Sequence, residues 1–151
     1  MHPMLSTKVS AMVFPTAITD DGSATTTEID TKGWDFLSVY VYVGTTDVAM
    51  AALAVTESDT SGSGHSNITG AVWGTATDID GNTTALPSAT DDNKFEVAHI
   101  DLRGRKRYVD VTATAGDGTA GTWIYGFYIL SKGASGPNSS SEMGAEHVVV
   151  V

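Results

Sequence analysis

The groups in this 151-residue chain with the potential for chemistry are eighteen carboxylates, four histidines and eight basic side chains; there is no cysteine. The run Asp78-Ile79-Asp80-Gly81-Asn82 has the alternating oxygen ligands of a calcium loop, in which a tight turn wraps a hard cation. Its continuation fails the pattern: Thr83 stands where glycine is needed and Ala89 where a bidentate acid would close the shell. An acidic turn is the reading that remains. Asp20-Asp21 and Asp91-Asp92 read as solvated turns, the alternative being a cation held at a contact between subunits. His2, His65, His99 and His147 are scattered without metal-ligand spacing. His65 follows Ser61-Gly62-Ser63-Gly64, a loop lacking the strained strand-to-helix turn that activates a hydrolase serine. His99 alternates with Val97 and Asp101, as a surface or interface histidine would. Neither a Walker loop nor a dinucleotide glycine motif occurs. The expectation is a protein that is not an enzyme, with no cofactor and no metal.

Charge bounds the partners. The formal net charge is −10, and such a field repels nucleic acid and anionic lipid. Against that background Arg103, Arg105, Lys106 and Arg107 place four of the eight basic residues in one short turn. A solvated turn is one reading. Another is a docking contact with an acidic neighbour, since arginine forks grip carboxylates bidentately. DNA binding ranks third, because so short a patch makes few phosphate contacts. No direct nucleic-acid partner and no membrane partner is expected: no run of about 18 apolar residues occurs, and the first residues lack the basic-then-apolar pattern of a secretion signal.

The elements that must position these groups are strands. Period-2 alternation recurs and helical periodicity does not, while Thr, Ser, Ala and Gly fill much of the sequence, as suits strands with small-residue loops. Strands are expected over residues 8–14, 50–57, 71–76, 95–102, 107–115 and 122–130, with turns at Asp80-Gly81-Asn82, Gly104 and Gly116-Asp117-Gly118. Between Lys32-Gly33 and the acidic Ser/Gly loop, residues 29–64 read as a hairpin with Gly44-Thr45-Thr46-Asp47 as its turn. In its first strand Leu37, Val39, Val41 and Val43 share one face, and Phe36, Ser38, Tyr40 and Tyr42 the other. The strand 122–130 is apolar on both faces, so it is central in two packed layers or faces another subunit. The fold class expected is all-β, an antiparallel β-sandwich or jelly-roll-like barrel with a flexible C-terminal arm.

One β-sandwich domain is expected over 1–132, a Gly/Ser-rich linker over 133–145 and a strand-like tail over 146–151. Val148, Val149, Val150 and Val151 combine strand propensity with a lack of charge, and valines left in water invite pairing. They are expected to add to a sheet edge, on this subunit or a neighbour. With the basic turn they form the expected interface with a neighbouring subunit or a larger partner, which the resemblance described next makes a capsid.

That assignment draws on a resemblance. Ile29-Asp30-Thr31-Lys32-Gly33-Trp34-Asp35, continuing through Val39-Tyr40-Val41 and Gly44-Thr45-Thr46-Asp47 to Glu57-Ser58-Asp59, resembles small β-rich structural proteins encoded beside capsid genes in tailed bacteriophages, the capsid decoration or cement proteins. The resemblance implies a virion structural protein, made in the host cytoplasm, that binds the outside of an assembled capsid and braces it. Its partners would be the major capsid protein and itself, as a homotrimer. The matching positions are turns and core, so no binding residue is carried over. Two alternatives stand: another virion part from tail, neck or fibre, and a glycan-binding β-sandwich. The latter requires Trp34, Trp73 or Trp123 to open into a groove beside polar side chains.

Overall fold

Alternation decides the first layer. The computed structural model describes residues 6–13, 18–137 and 139–149. In it Leu37, Val39, Val41 and Val43 are all turned inward and buried, on a strand that spans Trp34–Thr46 (β3). Around it lie β1 (Thr7–Val13), β2 (Ile29–Asp30), β4 (Ala52–Ser58), β5 (Ser66–Val72), β6 (Lys94–Asp101), β7 (Tyr108–Thr114) and β8 (Thr122–Gly133), with a 3-10 turn at Ala89–Asp91. They form two antiparallel four-stranded sheets, β1-β8-β3-β6 and β2-β7-β4-β5. The inner face of the second supplies Leu53, Val55, Val109, Val111 and Ala113 to the shared core, each large aliphatic chain contributing about 1.5–3 kcal/mol on burial. The chain is therefore an all-β sandwich; the sheets stay open, and the barrel form is not adopted.

The hairpin expected over residues 29–64 does not form. β3 pairs with β6 and β8, while β4 pairs with β5 and β7, so the two strands lie in different sheets. The link between them is a crossover anchored at both ends. Asp47 accepts from the Thr119 and Ala120 N–H groups at 2.6 and 2.7 Å, and Met50, buried, donates its N–H to the Pro87 carbonyl at 2.8 Å. The strand expected over 71–76 comes earlier, as β5, because Gly70 and Gly74 adopt positive φ of 87° and 92° and the Thr75 and Ala76 N–H groups turn back to the Val72 carbonyl. The remaining strands fall within a few residues of expectation; Phe14 lies outside the described residues. β8 is flanked by β1 and β3, the central position that its two apolar faces require.

The segment read as a linker folds along the edge of β1. Ser139 and Ser141 carbonyls accept from Met143 and Gly144 N–H groups, and the Met143 carbonyl accepts the Val9 N–H at 2.7 Å. Beyond it Val148 and Val149 are exposed and belong to no strand; Val150, Val151 and His2 lie outside the described residues.

Candidate docking face

The outward side chains of β3, β6 and β8 meet by register. Tyr40 sits across from Val97 on one side and Phe127 on the other, and Tyr42 across from Phe95 and Tyr125. Tyr40 and Phe127 stack with ring centroids 5.0 Å apart and planes 9° from parallel. Phe95 meets the edge of Tyr42 at 5.2 Å, and Tyr125 tilts against Phe127 at 5.9 Å. Cross-strand aromatic pairs of this kind stabilise a sheet by about 0.2–1 kcal/mol each, yet their outer surfaces stay wet. Phe95 is 51% exposed, Trp123 40% and Tyr125 37%; with roughly 200 Å² per ring side chain, these three alone leave on the order of 250 Å² open. Val97 and Val9 extend the patch. None of these residues carries a charge, in a chain of net charge −10.

At one end the face closes into a groove of about 410 Å³ lined by Trp123, Tyr125, Tyr42, Asn93 and Thr45. The Tyr42 hydroxyl donates to Asn93 Oδ1 at 2.9 Å, and Asn93 holds a left-handed φ of 62° that asparagine tolerates better than most residues. Trp73, by contrast, is buried and donates its indole N–H to Glu96 Oε2 at 2.6 Å. At the other end the face becomes charged: Phe36 lies under the Arg103 guanidinium and the Lys132 ammonium, 5.6 and 5.2 Å from its centroid.

The basic turn is internally paired. Arg103 grips Asp101 through two nitrogens, and this contact holds the Asp101 carboxyl down at about 2. Arg107 takes Asp30 in the same way, at 2.8 and 2.6 Å, which lowers the Asp30 pKa. Arg105 reaches Glu57 at 3.4 Å, and Lys106 Nζ reaches Ser66 Oγ at 3.3 Å. The three arginines of the turn are therefore ion-paired, while the Lys106 ammonium has a hydroxyl partner. The interface role expected of this turn and of Val148 and Val149 stays a proposal.

Sequence reasoning singled out Tyr40, Tyr42 and the 122–130 strand but had no means of adding Phe95, since the partner of β3 is 50 or more residues away in the chain. No protein-family model, curated protein or solved structure matches this chain.

Other polar groups converge on Glu28. His65 Nε2 lies 2.7 Å from Glu28 Oε2, and Ser61 Oγ donates to Glu28 Oε1 at 2.7 Å. Serine and histidine both address the carboxylate rather than each other, so the imidazole has no hold on the hydroxyl proton and the serine is not an activated nucleophile. His99 hydrogen-bonds Ser38 Oγ at 2.9 Å on the surface of the sheet. Asp78 uses Oδ1 to accept from the Asp80 and Asn82 N–H groups, closing a turn. Among the described residues no three His, Asp or Glu side chains are grouped to hold a metal ion.

Proposed function

We propose that this chain is a virion structural protein that binds the outside of an assembled phage capsid and stabilises it, working as a docking module and not as an enzyme. One observation carries the reading: a charge-free aromatic face on an otherwise strongly acidic molecule. Contiguous exposed apolar surface on a soluble domain marks a contact surface, and the absence of carboxylates from it lets an acidic body approach a neighbour without like-charge repulsion at the contact. The resemblance of residues 29–59 to decoration proteins supplies the kind of neighbour. Repetition over a lattice multiplies weak single contacts, and self-association as a trimer is part of the same proposal.

The test is binding to purified, undecorated particles. Replacing Phe95 and Tyr125 by Ser is expected to lower particle binding at least tenfold while the isolated chain still folds. Replacing Arg103, Arg105, Lys106 and Arg107 by Ser is expected to change binding less, and in a salt-dependent way. Full binding by the Phe95/Tyr125 variant removes the reading.

A second reading rests on its own observation. Trp123 opens into a groove beside Asn93 and Thr45, the arrangement a glycan-binding sandwich requires, with a flat ring for the apolar face of a sugar and an amide for its hydroxyls. Quenching of tryptophan fluorescence by soluble oligosaccharides, lost in Trp123→Ala, is the outcome that would favour it.

A further inference from the structure

Sheet edges expose unpaired backbone groups, and most are protected. Here β1 is covered at Val9 by the Met143 carbonyl, β2 is two residues long, and β5 is broken by a register shift and by Gly70 at φ 87°. β6 differs. It runs through eight consecutive pairs with β3 without a shift, has no proline, and pairs with no other strand among the described residues. The Leu102 N–H bond to Asp35 O fixes the phase of that ladder, so the N–H and C=O groups of Phe95, Val97, His99 and Asp101 point away from β3.

Alongside this edge, between β6 and β5, lies a groove of about 710 Å³. Its walls carry Asp78, Asp91, Glu96 and Asp101 against a single arginine, Arg105. Lys94 attends Asp91 and Arg103 attends Asp101, whereas Asp78 and Glu96 have no ion pair among the described residues.

We propose that the free edge of β6 accepts an extended segment of a partner protein as a fifth strand, with side chains that alternate between apolar and basic. The ladder supplies the backbone bonds of such strand addition. Alternation then places one set of side chains beside Phe95 and Val97 on the aromatic face and the other in the acidic groove. The net charge of −10 steers a basic segment toward it. This site is separate from the capsid reading and is tested on the isolated chain.

The experiment follows amide hydrogen exchange by NMR with a synthetic ten-residue peptide of alternating Val and Lys. The amides of Phe95, Val97, His99 and Asp101 are expected to exchange freely in the chain alone and to gain at least tenfold protection with peptide, while β5 is unaffected. The same peptide N-methylated at alternate residues, and an alternating Val/Glu peptide, are expected to give none. Val97→Pro keeps the bonds to β3, because this N–H points outward, and should abolish the effect; the N-methylated peptide serves if that variant fails to fold. Absence of protection, equal protection by the Val/Glu peptide, or protection of β5 instead would overturn the proposal. So would protection that arises without peptide as the chain is concentrated and disappears on deleting residues 146–151, which would assign the edge to a second copy.

Discussion

Glu28 and His65, 37 positions apart, meet at 2.7 Å, and the same carboxylate accepts from Ser61 Oγ at 2.7 Å and Gly62 N–H at 2.9 Å. One side chain thus fastens the 61–65 loop to the segment leading into β2. Burial pushes the Glu28 pKa up, but the bonds from Gly62, Ser61 and His65 outweigh it, and the folded value lies below the ordinary 4.5. A carboxyl depressed by folding adds stability above its unfolded pKa and loses it as pH falls through the folded value. Protection of the Gly62 amide is therefore expected to be full at pH 7 and to fall below about pH 4.5. Glu28→Gln should lower it at pH 7, with a stability loss of about 1–3 kcal/mol, and match the parent once Glu28 is protonated at low pH. Unchanged protection in the variant would show that the loop is held by other means.

Tyr128 lies in the core with no exposure, and its hydroxyl makes no hydrogen bond of good geometry, although the Asp110 carboxylate lies near enough to act on it. Burial, and then the carboxylate of Asp110, push its pKa far up, so it stays neutral at any working pH. Removing an unsatisfied polar atom while keeping the ring costs little, and Tyr128→Phe is expected to leave stability within about 1 kcal/mol or raise it. Tyr128→Ala should cost about 3–5 kcal/mol through the cavity. Urea melts of the two variants check this; a large loss in the Phe variant would reveal a hydrogen bond to the hydroxyl.

Glu96 has the opposite sign from Glu28. Burial raises its pKa, only partly offset by the Trp73 indole N–H, while Asp91 adds to the rise. A carboxyl raised by folding favours the native state when protonated, and that advantage is lost as pH climbs from the unfolded pKa through the folded one. Glu96→Gln keeps an oxygen for Trp73 without the charge. Its melting temperature is expected to exceed that of the parent at pH 7 and to equal it near pH 4. A variant less stable at both would mean that the charge itself holds the indole.

Gly44 lies where β3 and β8 crowd. A Cβ there would sit 2.8 Å from Trp123 Cβ, closer than packed carbons approach. Gly44→Ala is expected to cost about 1–3 kcal/mol and to shift Trp123 fluorescence as the indole leaves its groove. Denaturation with fluorescence detection reads both, and an unperturbed spectrum would show that the sheet yields instead.

The strands were legible because alternation is a local property: Leu37, Val39, Val41 and Val43 share a face whatever their neighbours. Pairing is not local. Nothing between Val43 and Met50 distinguishes a hairpin from a crossover, since the decision lies with Thr119, Ala120 and Pro87, which hold the link from far along the chain. The docking face was half legible for the same reason, with Tyr40 and Tyr42 evident in one strand and Phe95 supplied by another. The basic turn is legible as a motif whose arginines suit an acidic neighbour, but their partners within the chain are not, because Asp30 and Glu57 come within reach only when β2, β4 and β7 lie side by side.

The bond between Met143 and Val9 closes the β1 rim of the first sheet at that residue. A sheet with both rims open offers a head and a tail, and head-to-tail addition has no natural end. Gly144, at φ 76°, packs so close that a Cβ would overlap the Val9 carbonyl oxygen, which seals the β1 rim at that point. Head-to-tail addition needs both rims, and the rim at Val9 is occupied by the chain's own segment, as protected edges of natural sheets are.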